Sequence, residues 1–134
     1  MNRVFEGTDD LLHIVLRGEQ TLDGIEWAFD EVARHVRLRR NRAARVRLLV
    51  DTVEARMDGH HRRKIESCAS SSEAERVALS GAGMLHGVVG NLRLRASGTD
   101  ARVRWVRANA DAREFLLHGG LSTSPADRAS AAEW

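Results

Sequence analysis

Val46-Arg47-Leu48-Leu49-Val50-Asp51 is a short apolar run that closes on an acid, and it reads as a buried strand. A polar loop follows from Thr52 to Gly59. His60 to Ser70 then suits a helix with Ile65, Cys68 and Ala69 turned inward. Upstream, Thr21 is placed to cap a helix that starts at Leu22, where Leu22, Ile25, Ala28, Phe29, Val32 and Val36 recur at helical spacing. Asp23, Glu26, Asp30 and Glu31 come early in it and Arg34, Arg37, Arg39 and Arg40 late, the order the helix dipole favours. Asp30 and Arg34 stand at i,i+4 pairing distance. Further upstream, Leu11 to Arg17 is a second apolar strand, closed by Gly18. Arg3 to Glu6 is its expected partner across a Gly7-Thr8-Asp9-Asp10 turn.

Downstream the same alternation continues. Glu75 to Ser80 is a strand, and Gly81-Ala82-Gly83 turns the chain into a helix from Met84 to Leu94. Met84, Leu85, Val88, Val89 and Leu92 form a broad apolar face expected to pack inward. Gly87 and Gly90 each cost roughly 1 kcal/mol against alanine there, and allow close packing on the sheet. Val103 to Arg107 is the last strand. Asn109 is the expected cap of a helix from Ala110 to His118, with Ala112, Phe115 and Leu116 inward and Gly119 at its end. Trp27 and Trp105 are expected to fill the core or cover sheet edges. The order is β-β-α-β-α-β-α-β-α: an α/β single domain over residues 1–120, with a mostly parallel sheet of about five strands and one antiparallel edge hairpin. Residues 121–134 read as a flexible tail.

Composition agrees with a single small domain. The chain has 134 residues, 43% apolar and 30% charged, which excludes wholesale disorder and fibrous structure. No apolar run approaches the ~20 residues of a membrane span, and Met1 to Asp10 lacks the apolar centre of a signal peptide. A lone cysteine, Cys68, leaves no internal disulfide and no Cys-rich zinc site, and the helical pattern makes it a buried structural thiol. The cytoplasm is the expected location. Net charge is +2, and every basic side chain except Lys64 is arginine. Codon bias explains that most simply, with phosphate or carboxylate recognition as the functional alternative. The scarcity of aromatics argues against a base-stacking surface.

Three blocks carry a family resemblance. They are Gly18-Glu19-Gln20-Thr21 entering the first long helix, Arg47 to Asp51, and Glu75 to Gly81 followed by a helix, Val103 to Val106 and Ala112 to Leu116. In this order and at this length the chain resembles the STAS fold, most closely its SpoIIAA-like branch, over about residues 1 to 118. The resemblance implies a small cytoplasmic module that often binds a protein partner. In anti-sigma-factor antagonists of this fold, a serine at the start of the second helix is phosphorylated to release the partner. Here the corresponding stretch is Met57-Asp58-Gly59-His60-His61, without the serine. The grouping of SpoIIAA-like proteins with SEC14-type lipid-transfer domains implies an apolar ligand as an alternative.

In a parallel sheet, ligands bind where the loops after the strands gather. The loops after Asp51, Ser80 and Arg107 should meet there. Asp51 with Thr52 could be an acid or an orienting pair; a strand-end acid accepting turn hydrogen bonds is the plainer reading. Ser80, Gly81 and Gly83 could bring backbone close to an anion, although Gly81-Ala82-Gly83 matches only part of a dinucleotide fingerprint. Asp58, Gly59, His60, His61, Arg62 and Arg63 form the densest polar cluster. Adjacent histidines on a helix point ~100° apart and cannot share one metal easily, so no metal site is expected. Cations at a helix start oppose the dipole, which makes the cluster locally unfavourable and hints at a role beyond stability. Seven arginines fall between Arg34 and Arg47 with no acid from Val32 to Val50. They read as a helix end plus solvated loop, or as a footprint for an acidic protein, lipid heads or nucleic acid. Without a helix-turn-helix or RNA-binding signature, nucleic acid is the weakest of these.

The sequence therefore points to a non-enzymatic, regulatory protein-interaction module with no cofactor. Its partner would be an unidentified, acidic protein. The alternative is a carrier or sensor of a small anionic or lipid-like ligand. A homodimer is a further expectation for a small sheet with an exposed edge strand, without the pairing surface being specified.

Overall fold

The structure is a computed structural model that describes residues 1–39 and 45–118. Its elements are β1 (Arg3–Glu6), β2 (Leu12–Val15), β3 (Gly18–Glu19), α1 (Leu22–Arg39), β4 (Arg47–Asp51), β5 (Ala55–Arg56), α2 (Gly59–Ser71), β6 (Arg76–Ser80), α3 (Met84–Ala96), β7 (Val103–Val106) and α4 (Asn109–His118). The main sheet runs β1-β2-β4-β6-β7. Only the β1–β2 pair is antiparallel. The expected order and the edge hairpin are both present, and the hairpin turn holds Asp10 at φ 62°. The supposed tail, the end of the last helix at Gly119, and Arg40 and Arg42 of the basic stretch lie outside the described residues.

Strand alternation divides the core. On one face Leu12, Ile14, Leu48, Val50, Val77, Leu79, Val103 and Trp105 pack beneath α1 and α2. On the other, Leu49, Ala78 and Val106 pack with Leu11 beneath Ala112, Phe115 and Leu116 of α4. Each fully buried aliphatic or Phe side chain contributes about 1.5–3 kcal/mol, so the sheet is the chief source of stability. The N-terminus of α1 is closed as expected: Thr21 Oγ1 accepts from Gly24 N–H at 2.9 Å.

Several expectations are corrected. The loop after Asp51 and the residues beyond Val15 form a second, two-stranded parallel sheet, β3 with β5. Two-residue strands show no periodicity. In α1, Leu22 is exposed, and Trp27 is 48% exposed instead of filling the core. Arg34 bonds Glu31 at 2.7 Å, one turn back at i,i+3, in place of Asp30. Cys68 is only half buried, and burial raises its thiol pKa. Asn109 spends its side chain on the neighbouring loops and does not cap α4.

The largest correction concerns α3. Its buried residues are Gly87, Gly90 and Leu94. Most of the face expected to point inward points out: Leu85 is 70%, Met84 60%, Leu92 55% and Val89 40% exposed, while Val88 packs, partly buried, against the core beneath α4. Glycine lets the helix axis approach the sheet closely, and the Cβ of any other residue at Gly90 would collide with the Trp105 indole and the Glu66 carboxylate. The helix lies along β7. Asn91 Oδ1 accepts from Trp105 N–H at 2.8 Å, and Asn91 Nδ2 donates to the Trp105 carbonyl at 3.1 Å. One side chain thus satisfies both backbone groups of Trp105, and β7 offers no template for strand addition there.

Candidate functional site

The three carboxyl-edge loops do meet, and hydrogen bonds lock them together. Thr52 Oγ1 and the Thr52 backbone N–H both donate to the Ser80 carbonyl at 2.8 Å. Ser80 Oγ donates to Asn109 Oδ1 at 2.8 Å, and Asn109 Nδ2 donates to Asp51 Oδ2 at 3.3 Å. Asp51 Oδ1 accepts from Val53 N–H at 2.9 Å. Thr52 and Ser80 are buried. Gly81 has φ 110°, and a Cβ there would sit 2.7 Å from the Val53 nitrogen. The space that glycine opens is filled by the loop after β4. Gly83 is the N-cap residue of α3 and has no side chain to cap it. Chemically this network joins loops: its hydroxyls and amide are engaged with one another.

The start of α2 is a second group, Asp58 to Arg63. Asp58 Oδ1 accepts from His60 N–H at 2.9 Å and from His61 N–H at 3.1 Å. The Asp58 backbone N–H donates to His61 Nδ1 at 3.2 Å, completing a capping box. His61 stands where Glu or Gln is usual. The cluster is therefore less unfavourable than its charges suggest, because an N-cap carboxylate faces the dipole. Arg62 reaches the Met57 carbonyl at 3.3 Å, and Gly59 lies beside the Arg63 guanidinium. The His61 N–H is the main cause holding the Asp58 carboxyl below its ordinary pKa, with His60 adding to it against a smaller desolvation effect. A depressed carboxylate pKa adds stability above the unfolded-state pKa of about 4, and that stability is lost as pH falls through the folded value. Asp58→Ala is expected to melt a few degrees below wild type at pH 7 and to lose that difference towards pH 3, which melting curves across pH would show.

Three features had little or no sequence signal. Glu66, on α2, is 5% exposed. Its carboxylate accepts from Arg93 Nε and Nη2 and from Trp105 Nε1, each at 2.8 Å. Arg102 donates to the carbonyls of Ser70, Ser72 and Ala74, tying down the end of α2. Finally, α4 leaves the β1–β2 half of its sheet face open. A cleft of about 470 Å³ lies there, lined by Phe5, Asp9, His13, Val15 and Arg113 among others. His13 stacks on Phe5 with ring centroids 5.0 Å apart, and Asp9 engages both His13 at 3.1 Å and Arg113 at 3.3 Å. Of the basic stretch, Arg45 and Arg47 pair with Glu75 at 2.9 and 3.3 Å. Among the described residues no group of three or more His, Cys, Asp or Glu could hold a metal ion. Nor is any described helix long and apolar enough to cross a membrane.

No protein-family model and no curated protein matches the sequence significantly. The fold is similar to the crystal structure of an uncharacterized protein of the DUF3478 family with a SpoIIAA-like fold, from Shewanella loihica. The TM-score is 0.51 at 19% identity, and the match covers 87% of this chain and 93% of that one. Together with the four helices and the five-stranded, mostly parallel sheet of the described residues, this likeness shows that the chain carries a SpoIIAA-like fold.

Proposed function

We propose that the protein is a non-enzymatic regulatory module that works by binding another protein chain. The observation that carries this reading is the exposed apolar face of α3, Met84, Leu85, Val89 and Leu92. A contiguous apolar patch on a small protein marks an interaction site more often than a structural accident. The engaged state of Asp51, Thr52, Ser80 and Asn109 supports a binding role over catalysis. Arg62 and Arg63 at the start of α2 are basic, which favours an acidic partner. With no serine in Met57 to His61, release by phosphorylation at that position is not part of the reading.

A carrier of a small ligand is the second reading, favoured by the cleft beside α4. Its charge argues against an anion: Glu6, Asp9 and Asp51 line it with His13 and Arg113, and Asp9 already engages both of those side chains. Affinity capture separates the two. The wild-type protein is expected to retain a protein partner that Leu85→Arg loses at least tenfold. Equal retention by both proteins would overturn docking at α3.

A further inference from the structure

We propose that α3 is a hinged cover on the β7 edge, which opens as a unit while the rest of the fold stays closed. The device lies in the inner face of the helix and works whatever docks on the outer one. The helices are not held alike. Helix α1 buries Ile25, Ala28, Phe29, Val32 and Val36, and α4 buries Ala112, Phe115 and Leu116. Among the described residues of α3, Leu94 alone buries an apolar side chain fully, with Val88 partly buried. Gly87 and Gly90 complete its inner face and bring backbone to the core without a side chain. Apolar burial sets most of what a segment loses on opening, so α3 has little to lose. Its other ties are polar: Asn91 on the Trp105 backbone, and Arg93 on Glu66 through two nitrogens at 2.8 Å. Water replaces such bonds at small net cost once the helix lifts. Helix α2 buries Ile65 and Ala69, but its end is also tied down by three bonds from Arg102.

Both ends of α3 are free to swing. Gly83 stands directly before it and Gly98 shortly after it, and a Cβ at either would meet nothing within 4 Å. Neither glycine is wedged by a neighbour, and Gly98 already holds φ 78°. Such residues absorb a change of chain direction. Strand β7 ends the sheet order, paired on one side with β6. Backbone groups alternate in direction along a strand, so those of Arg104 and Val106 face β6 and those of Trp105 face outward, where Asn91 binds both. When α3 lifts, Asn91 leaves with it and the outward N–H and C=O of Trp105 stand bare. A bare edge strand is the template to which an extended segment of another chain adds. The closed form blocks that edge, and the open form offers it.

Amide hydrogen exchange of the full chain, read residue by residue by NMR, tests this. In the wild type the amides within α3 and the Trp105 amide are expected to exchange together, at least about tenfold faster than the central amides of α1. The amides of Arg104 and Val106 should stay with the slow set. Arg93→Ala removes one tie and should speed α3 and Trp105 further. Val32→Ala weakens α1, where Val32 is buried, and should speed the slow set about tenfold. Helix α1 is still folded when α3 lifts, so Val32→Ala should leave the rates of α3 and Trp105 unchanged. Wild-type α3 amides as slow as those of α1 overturn the proposal. So does a Val32→Ala variant in which α3 speeds up by the same factor as α1, since α3 would then open only in global unfolding. A Trp105 amide that exchanges with Arg104 and Val106 instead of with α3 overturns the gating of the β7 edge. None of these results bears on capture of a partner by the outer face, so a failed hinge and a failed binding surface are told apart.

Discussion

Glu66→Ala is expected to destabilise the fold by about 3–5 kcal/mol, a large share of the roughly 5–15 kcal/mol that holds a domain of this size together. The substitution removes the acceptor of three hydrogen bonds at once, from two Arg93 nitrogens and the Trp105 indole. Trp105 is fully buried, so its N–H would have no water to turn to. Arg93 has a third of its side chain exposed and can rehydrate, so Arg93→Ala should cost less than Glu66→Ala. Glu66→Gln should fall between wild type and Glu66→Ala, since the amide still accepts from one donor. Urea unfolding of the three variants gives the ranking, and a midpoint for Glu66→Ala within error of wild type would show that this network does not stabilise the fold.

Gly90→Ala tests the same region from the packing side, and the sign of its effect is informative. Helix propensity alone would stabilise alanine over glycine by about 1 kcal/mol. A methyl group at this position, however, collides with the Trp105 ring and the Glu66 carboxylate. Overpacking a tight contact costs about 1–3 kcal/mol, so a net loss is expected for alanine and a larger one for Gly90→Val. If Gly90→Ala is more stable than wild type by thermal denaturation, α3 does not pack tightly against β7. Glu66 and Gly90 share Trp105, so their effects should not add.

The same contact explains where sequence reasoning succeeded and where it failed. Strands such as Leu48-Leu49-Val50 are legible because burial on both faces leaves a continuous apolar run. Helix α1 is legible because one polar and one apolar face alternate. In α3 the usual rule inverts. Two glycines at i,i+3 carry no hydrophobic signal, yet they mark the face that comes closest to the sheet, and Met84, Leu85, Val89 and Leu92 are left outside. The i,i+3 glycine spacing was the available clue. Glu66 could not be found locally, since its partners lie 27 and 39 residues away and a glutamate in an exposed-looking helix reads as solvent-facing. At the carboxyl edge, the meeting of Asp51, Ser80 and Asn109 followed from topology, but their mutual hydrogen bonds depend on rotamers that a strand pattern does not specify. His61 as a capping-box acceptor was hidden because two adjacent histidines and two arginines read first as charge.

The central claim is that the outward face of α3, and not a ligand pocket, is where this chain works. Native mass spectrometry of gently purified wild-type protein and its Leu85→Arg variant tests that most directly. The expected spectrum shows wild-type protein carrying protein-sized additional mass, its own chain or another, that the variant lacks. A small-molecule adduct retained equally by wild type and variant, with no protein-sized mass on either, would contradict the claim and place the working site in the cleft beside α4.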